Sequence, residues 1–510
     1  MSGPKYQASN ICKRTHRWPH NCEVVYGTYF GELIDDRHSR GVNHVGICYL
    51  ADRPPGCAAC ANAITLHKRS EPAVLGLPIV RTERSQALQK RDSKTVSADL
   101  YNLVGAGLKS SIQSTRSPGK LLIPSKQNMQ YWVNITVGTP AQKVSLTLDT
   151  GSSDVWVNIP NSTFCSADDD PCSPYGVFKQ KDSSTFHMLD YQMNATYAAG
   201  FLAEGYYATD TLSIGGVKVK DYQFAVADIS HNENGILGVG YQKGTDAYAI
   251  GKEYTNLPGA LVKSGATNSA AYSLWLNKLD STGNILFGGV NKARYNGELQ
   301  SVPILKVYGE YRSLAIALTE ITVKDKTYAS GLPLAVSLDN GSSMIALPKE
   351  LLDPIYKDIG AGYDSKSQFG YISCDAAHWD YNITFSFSQA KVSMPISTLV
   401  FPHYSETSFP KGDCIFGMVP SQPGVNLMGD PFLRGAYVVY DLDNNEISLA
   451  ETNTNDGDDD IHEIGTGSDA TSDGGAAATS SSSEGLAALP TSNPNHLLPG
   501  LLGAGLLLAL

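Results

Sequence analysis

A short acidic loop occurs twice in this chain of 510 residues. Residues 148–153 read LDTGSS, and residues 338–343 read LDNGSS. In each copy a hydrophobic run leads an aspartate into a turn that contains glycine. One such loop indicates little, because aspartate and glycine are common in turns. Two copies indicate a duplicated domain that brings two carboxylates face to face.

Asp149 and Asp339 are therefore the candidate catalytic residues. Two carboxylates a few ångströms apart do not both ionise, so one keeps a proton at acid pH while the other acts as a base. For a single loop, an ordinary turn carboxylate is the better interpretation. For the duplicated pair, we favour an acid–base site.

The residues after each aspartate suit such a site. Glycine lets loop backbones approach closely because it has no Cβ, and a serine three residues after the aspartate is placed to hydrogen-bond the outer carboxylate oxygen. The two copies differ at the position after the aspartate, where Asn is larger than Thr but offers both donors and acceptors. The predicted supporting residues are Thr150, Gly151, Ser152, Asn340, Gly341 and Ser342.

The charge balance argues against one class of partner. The net charge is −11, from 39 Lys and Arg against 50 Asp and Glu. Residues 1–91 carry more basic than acidic residues, so the rest of the chain is more acidic than the whole. An acidic body argues against nucleic acid as a partner. Abundant Tyr and Gly, with many alternating Val, Ile and Thr runs, indicate β structure.

Between 128 and 452 the pattern predicts two β-rich lobes, 128–305 and 306–452, with recurrent Asn-Gly, Gly-Gly and Asp-Gly turns. Ordered motifs in this stretch resemble those of pepsin-like aspartic proteases, most of all the fungal secreted and GPI-anchored, yapsin-like branch. They lie at 131–140, 149–156, 236–240, 288–299 and 427–430. The resemblance implies an all-β, bilobal fold with the active site between two pseudo-symmetric lobes.

The resemblance also implies an aspartic-type endopeptidase in which Asp149 and Asp339 share a water. The ionised carboxylate takes a proton from this water as it attacks a peptide carbonyl, while the protonated carboxyl hydrogen-bonds the carbonyl oxygen. Neither a cofactor nor a metal is expected. The expected partners are protein or peptide substrates, and the enzyme is expected to be a monomer.

Two positions depart from the family pattern. Tyr197 stands where the family carries the flap tyrosine, which closes over substrate, but residues 198–201 lack the usual polar flap tip. A tyrosine on a surface hairpin is the alternative for Tyr197. Asn340 stands where the family carries Thr or Ser. These departures leave the level of activity open.

Residues 1–91 are interpreted as a leader and propeptide. The first 60 residues lack the apolar core of a signal peptide, although 58–63 resemble the end of one, so we expect a wrongly assigned start. Lys90-Arg91 is a dibasic pair of the kind that a kexin-like processing protease cleaves. We therefore expect a zymogen whose mature chain begins with the N-terminal segment 92–127.

The C-terminal residues indicate a membrane anchor. Residues 453–485 are rich in Asp, Gly, Ser and Thr, which predicts a flexible acidic stalk. Residues 486–510 end in an apolar tail that is too short for a comfortable membrane span. This arrangement is typical of a GPI-attachment signal. A tail anchor and an ordinary hydrophobic end are the alternatives.

Cysteines and sequons also suit a secreted protein. The close pairs Cys165/Cys172 and Cys374/Cys414 predict one local disulfide each, the alternative being four free buried thiols. Sequons predict N-glycosylation at Asn134, Asn161, Asn194 and Asn382.

The function that we expect is therefore a secreted acid endopeptidase, made as a zymogen and GPI-anchored to the plasma membrane at the fungal cell surface. The alternative is a catalytically weak or inactive surface protein that keeps the fold for binding. Asn340 and the altered flap favour that alternative.

Overall fold

The computed structural model describes residues 64, 66–67, 73–83, 129–167, 170–197, 201–278, 281, 283–401, 412–455 and 457–465. Lys90-Arg91, the segment 92–127, the flap tip 198–200 and the predicted GPI signal 486–510 lie outside these residues. Among the described residues, no helix is both long enough and apolar enough to cross a membrane.

Most of the regular structure consists of short strands. The first strands are β1 (Leu66–His67), β2 (Leu75–Glu83), β3 (Met129–Val137), β4 (Gln142–Asp149), β5 (Val155–Asn158), β6 (His187–Thr196), β7 (Leu202–Ile214), β8 (Val217–Ser230), β9 (Ile236–Gly238), β10 (Ala271–Trp275), β11 (Gly283–Phe287), β12 (Gly289–Asn291) and β13 (Tyr295–Pro303). The later strands are β14 (Ala315–Leu318), β15 (Glu320–Val323), β16 (Lys326–Tyr328), β17 (Leu334–Leu338), β18 (Ile345–Leu347), β19 (Gly362–Asp364), β20 (Phe369–Ser373), β21 (Asn382–Phe387), β22 (Ala390–Pro395), β23 (Val400–Phe401), β24 (Asp413–Phe416), β25 (Met418–Pro420), β26 (Leu427–Met428), β27 (Ala436–Asp441), β28 (Glu446–Thr452) and β29 (Ile461–Ile464).

In the part of the chain that the structure describes, helices are few and short, as the sequence predicts. The α-helices are α1 (Asp246–Ala249), α2 (Leu257–Lys263), α3 (Lys349–Ile359) and α4 (Asp430–Leu433), and the 3₁₀ helices span Gln180–Asp182, Gln242–Gly244, Lys292–Arg294, Cys374–His378 and Ile396–Leu399. The longest, α3, coincides with the best helical signal of the sequence. It buries an apolar stripe and ends at Gly360, whose φ of 70° supplies the left-handed cap.

A hairpin in the first half shows how local sequence sets the strands. Buried and partly exposed residues alternate along β7, as expected for a strand with one covered face. The chain then turns at Gly215 and Gly216, with φ of 56° and 84°. Two successive positive φ values are the requirement of a tight hairpin turn, which glycine meets without strain. The long β7–β8 hairpin thus follows from the Gly-Gly turn.

One extended sheet combines strands from both halves of the chain. Its order is β13-β28-β27-β10-β11-β2-β3-β4-β9-β5-β8-β7-β6. The final strands β27 and β28 pair with β10 and β13 of the first half. The expected lobe boundary near 305 therefore does not divide the strands cleanly, because 436–452 return to the first half.

The second half contributes three smaller sheets of its own. Their orders are β14-β17-β26-β18-β25, β16-β15-β21-β22 and β19-β20-β24-β23. One apolar core runs from residues of the first half to residues of the second. This arrangement agrees with the expected bilobal, all-β class.

A small sheet joins the two ends of the described chain. Its order is β1-β29-β12, so β29 lies between an N-terminal strand and β12. We predicted a flexible stalk from 453, whereas Ile461–Ile464 is a paired strand that includes the buried residues His462, Glu463 and Ile464. The packed body therefore extends to at least residue 465. The sequence analysis did not predict this strand, because its apolar residues lie within a mostly acidic and polar stretch.

Both predicted disulfides are present. Cys165 bonds Cys172 with a Cα–Cα distance of 5.2 Å, and Cys374 bonds Cys414 at 4.9 Å. Each bridge closes a local loop: the bonded cysteines are 7 residues apart in the first and 40 residues apart in the second. The alternative of four free thiols is excluded for these positions.

Candidate active site

Asp149 stands at the end of a strand that two neighbours hold in place. It is the last residue of β4, which runs parallel to β9 with Asp149 opposite Gly238. The Val239 amide donates to the Asp149 carbonyl at 3.1 Å, and the Gly240 amide donates to the Ser152 carbonyl at 2.9 Å. The motif 236–240 therefore braces the first loop, as the resemblance implies.

Asp339 is placed in the same way in the second half. It follows β17, which runs parallel to β26, and the Asp339 amide donates to the Met428 carbonyl at 3.2 Å. The Asp430 amide donates to the Ser342 carbonyl at 2.8 Å. Both aspartates are fully buried. The duplicated sequence thus produces a duplicated local fold.

Thr150 and Asn340 cross-link the two loops. The Thr150 amide donates to Asn340 Oδ1 at 2.8 Å, and the Asn340 amide donates to Thr150 Oγ1 at 3.0 Å. Thr150 Oγ1 donates to the Leu338 carbonyl at 2.9 Å, and Asn340 Nδ2 donates to the Leu148 carbonyl at 3.0 Å. The asparagine amide therefore does what a second hydroxyl would do, because it offers one acceptor and one donor.

Gly151 brings the second carboxyl against the first loop. A Cβ added to Gly151 would lie 2.6 Å from Asp339 Cγ and Oδ1 and 2.7 Å from Oδ2. No side chain larger than hydrogen fits at that distance without moving the carboxyl. The close approach of backbone to carboxyl is what puts Asp149 and Asp339 in one site.

The hydrogen bonds to Asp149 favour its ionised form. Its Oδ1 accepts from the Gly151 amide at 2.8 Å, and its Oδ2 accepts from Ser152 Oγ. Donors aimed at a carboxylate stabilise the charge. The expected role of Ser152 is therefore met.

Asp339 has a poorer set of donors. Its Oδ1 accepts from the Gly341 amide at 2.8 Å. Ser342 Oγ instead donates to the Met344 carbonyl at 3.0 Å, so the expectation that it bonds the outer oxygen of Asp339 is wrong. Asp339 Oδ2 is buried and accepts no hydrogen bond from the described residues. This oxygen is the natural place for a proton.

The electrostatics of the pair follow the same asymmetry. Burial raises the pKa of Asp339 well above its usual value, and the charge of Asp149 raises it further. Burial also raises the pKa of Asp149, but the hydrogen bonds from Ser152 and Gly151 and from the Asp339 carboxyl act in the opposite direction. The first carboxyl is thus the easier one to ionise, and the second retains the proton.

Tyr197, the predicted flap tyrosine, is hydrogen-bonded to Trp156. Its hydroxyl accepts a hydrogen bond of 2.7 Å from Trp156 Nε1, and its amide donates to the Phe201 carbonyl at 2.7 Å across the hairpin of β6 and β7. The ring is buried. Burial and the charges of Asp154 and Asp149 raise the pKa of Tyr197 well above its usual value. A tyrosine bonded in this way is not a loose residue on a surface hairpin.

Asp154 is a buried residue that the sequence analysis did not single out. Tyr207 and Tyr254 donate their hydroxyls to its Oδ1 at 2.8 and 2.7 Å, and the Asp246 amide donates to its Oδ2 at 2.7 Å. Burial raises its pKa to about 6. The carboxylate ties the first loop to α1. The sequence feature that could have indicated Asp154 is its position in the first loop motif, five residues after Asp149.

Asp430, the last residue of the predicted motif 427–430, is a second support, and its side-chain partners come from the structure alone. Tyr131 donates its hydroxyl to Asp430 Oδ1, and Arg434 Nε donates to Oδ2 at 2.9 Å. Asp430 is fully buried, so the paired charge and the tyrosine compensate its desolvation. The bonds join β3 to the segment that braces the second loop.

The sequon asparagines lie apart from the two loops. Asn134, Asn161, Asn194 and Asn382 are exposed, whereas Asn340, which also begins a sequon, is fully buried. Ser145 Oγ donates to Asn134 Oδ1 at 2.6 Å. Exposure is compatible with glycosylation at the four predicted positions. Among the described residues, no three His, Cys, Asp or Glu side chains converge as metal ligands.

Comparison with known proteins gives one consistent result. Residues 130–452 match the family described as eukaryotic aspartyl protease. The chain is 41% identical over 495 residues to the probable aspartic-type endopeptidase opsB of Aspergillus oryzae, covering 88% of this chain and 96% of that protein. It is 32% identical over 373 residues to the aspartic proteinase yapsin-3 of Saccharomyces cerevisiae, covering 69% and 72%. The similarity to the yapsin-like branch is confirmed.

Proposed function

This chain belongs to the eukaryotic aspartyl protease family, and we propose that it is an endopeptidase that works at acid pH through Asp149 and Asp339. The observation that carries the proposal is the unequal pair of buried carboxyls. Asp149 receives bonds from Gly151 and Ser152, and Asp339 keeps a proton. An acid–base pair of this kind needs one proton shared between two carboxyls, and acid pH provides it.

The proposed reaction uses both carboxyls in one step. Asp149 takes a proton from a water as its oxygen attacks the peptide carbonyl, and Asp339 donates a hydrogen bond to the carbonyl oxygen. Collapse of the tetrahedral intermediate breaks the C–N bond, and the proton that Asp149 took from water passes to the leaving amine. Tyr197 shields the reacting atoms from bulk water. The hydrogen bonds between Thr150 and Asn340 support an active enzyme, because they cross-link the two loops although Asn340 replaces the usual Thr or Ser.

Digestion of a peptide library across about pH 3 to 7 tests the proposal. We expect cleavage that is strongest in acid, is blocked by pepstatin, and falls by about a thousandfold or more in Asp149→Asn and Asp339→Asn. Because asparagine has nearly the same size and shape as aspartate, we expect both variants to keep the fold. Cleavage that does not differ from these variants would support the inactive binding protein instead.

We infer further that the chain is made as a zymogen. The strand β2 of the predicted propeptide lies in the main sheet between β11 and β3 and leads toward Lys90-Arg91. A kexin-like protease would cut after Arg91. In the double variant Lys90→Ala and Arg91→Ala, we expect an unprocessed chain in a secreting host. N-terminal sequencing of the secreted wild-type protein should begin at Asp92, and a different start would reject this site.

Anchoring and glycosylation complete the proposal. We propose a monomeric glycoprotein that a GPI lipid holds at the cell surface, on the basis of the stalk, the apolar tail and four exposed sequons. A phosphatidylinositol-specific phospholipase should release the protein from intact cells. Deglycosylation should lower its mass, and removal of the four sequons together should abolish that change.

A further inference from the structure

The two N-terminal strands, β1 and β2, dock on the body at separate places. Strand β2 pairs with β11 and β3, and strand β1 pairs antiparallel with β29. In the second place Leu66 lies opposite Ile464 and His67 opposite Glu463. The partner strand there comes from the segment where we had expected only a stalk.

Glu463 connects the two segments through its side chain. The residue is 1% exposed. Its Oε2 accepts from the Ala73 amide at 3.3 Å, and its Oε1 accepts from Asn268 Nδ2 at 2.6 Å. A buried carboxylate needs such donors, because an unbonded charge is costly to bury. One carboxylate therefore holds the N-terminal segment and the body together.

Apolar packing adds to these bonds. Ile464 is 1% exposed and belongs to a cluster with Trp275 and Val290, against which Ile64 and Leu66 pack. The body leaves room for the segment at Gly289, where an added Cβ would lie 2.7 Å from both methyl carbons of Val74. The surface is thus shaped to receive Ile64, Leu66 and Val74.

Strand β29 is held to the body without help from the N-terminal segment. It pairs with β12 on its other side, and the Ile464 amide donates to the Gly288 carbonyl at 2.9 Å. Arg294 forms an ion pair of 2.8 Å with Asp459 just before the strand. Loss of the N-terminal segment would thus leave β29 in place, with one edge open for pairing.

We propose that Ile461–Ile464 is a docking strand for the propeptide, which it retains on the body as a second, noncovalent chain after cleavage at Lys90-Arg91. The inference rests on the processing proposed above. The partner of Ile461–Ile464 is then a short β-strand of this same chain, with apolar residues at 64 and 66. Release of the cleaved segment then requires the loss of both docking places.

The test uses the full chain, purified in detergent, with a recognition sequence for a site-specific protease in place of residues 86–91. Asp149→Asn is included so that the chain does not digest itself. The propeptide is labelled at its N-terminus, the chain is cut, and retention is followed by size-exclusion chromatography after dilution. This design measures retention whether or not a kexin-like protease uses Lys90-Arg91, and it does not depend on activity.

We expect the cut propeptide to co-elute with the body. Leu66→Asp should speed its loss by about tenfold or more, because a charge replaces an apolar contact. Glu463→Ala should speed the loss by about three- to tenfold. Glu350→Ala is the control, since Glu350 is an exposed glutamate on α3, outside the sheet that holds β29, and retention should not change.

Two results would overturn the proposal. In the first, the wild-type propeptide leaves as fast as Leu66→Asp. In the second, both Leu66→Asp and Glu463→Ala retain it as well as wild type, which would assign retention to β2 alone or to no strand at all.

Discussion

Thr150 and Asn340 bond each other reciprocally across the centre of the molecule, each backbone amide donating to the other's side chain. The residues are 190 positions apart in the chain. Their side chains also reach the carbonyl groups of Leu338 and Leu148, which directly precede the two aspartates. An Asn and a Thr together therefore fix the relative position of the two carboxyls.

Removal of the Asn340 side chain tests this cross-link. Asn340→Ala leaves the Thr150 amide and the Leu148 carbonyl without partners, so we expect a loss of about 2 to 4 kcal/mol in the free energy of unfolding. Denaturant titration measures it. Asn340→Thr should retain most of the stability and activity, because a hydroxyl offers one donor and two acceptors. Equal stability of Asn340→Ala and wild type would mean that the loops are held elsewhere.

Ser152 and Ser342 should have unequal effects on the pH profile. Ser152 donates to Asp149 and lowers its pKa, whereas Ser342 donates to the Met344 carbonyl. Ser152→Ala removes a bond to the ionised form, so the acid limb of kcat/KM should move to higher pH. Ser342→Ala is the matched control and should leave that limb in place. The same shift in both variants would contradict the asymmetry.

Tyr197 should matter through its bond to Trp156. Tyr197→Phe leaves Trp156 Nε1 buried without an acceptor and frees the base of the flap, so we expect kcat/KM to fall by about tenfold. Tyr206→Phe is the control on the same hairpin, because Tyr206 is 38% exposed and its hydroxyl contacts only Gln192 among the hydrogen bonds described. Unchanged kinetics of Tyr197→Phe would reject the flap role.

Glu446 should make the protein less stable as the pH rises. Burial, with a contribution from the charge of Asp441 opposite, raises the pKa of Glu446 from 4.5 to about 7. The folded state therefore binds this proton more tightly than the unfolded state, and stability is lost as the pH rises between these two values.

Glu446→Gln isolates this effect. Below about pH 4 the variant and wild type should be equally stable, and above about pH 7 the variant should be more stable by about 1 kcal/mol, after allowance for solvent screening of a partly exposed group. Thermal unfolding at several pH values measures the difference. Glu298→Gln, at an exposed carboxylate on the neighbouring strand β13, is the control. A constant difference at every pH would exclude linkage to Glu446.

The sequence by itself determined the parts of the site that are local. The repeated loops, their bracing motifs and the two disulfides all lie within short stretches, where spacing and residue type limit the possible geometry. Asp149 and Asp339 were identified on that basis, and the structure brings them together against Gly151.

Only the tertiary structure decided the contacts between distant residues. Ser342 turns away from Asp339, the Asn340 amide replaces a hydroxyl, and β27 and β28 return to the sheet of the first half. The pairing of β29 with β1 joins residues almost four hundred positions apart, inside a segment whose composition predicted no structure. Such contacts depend on which surfaces meet after folding, and a pattern of neighbouring residues does not contain that information.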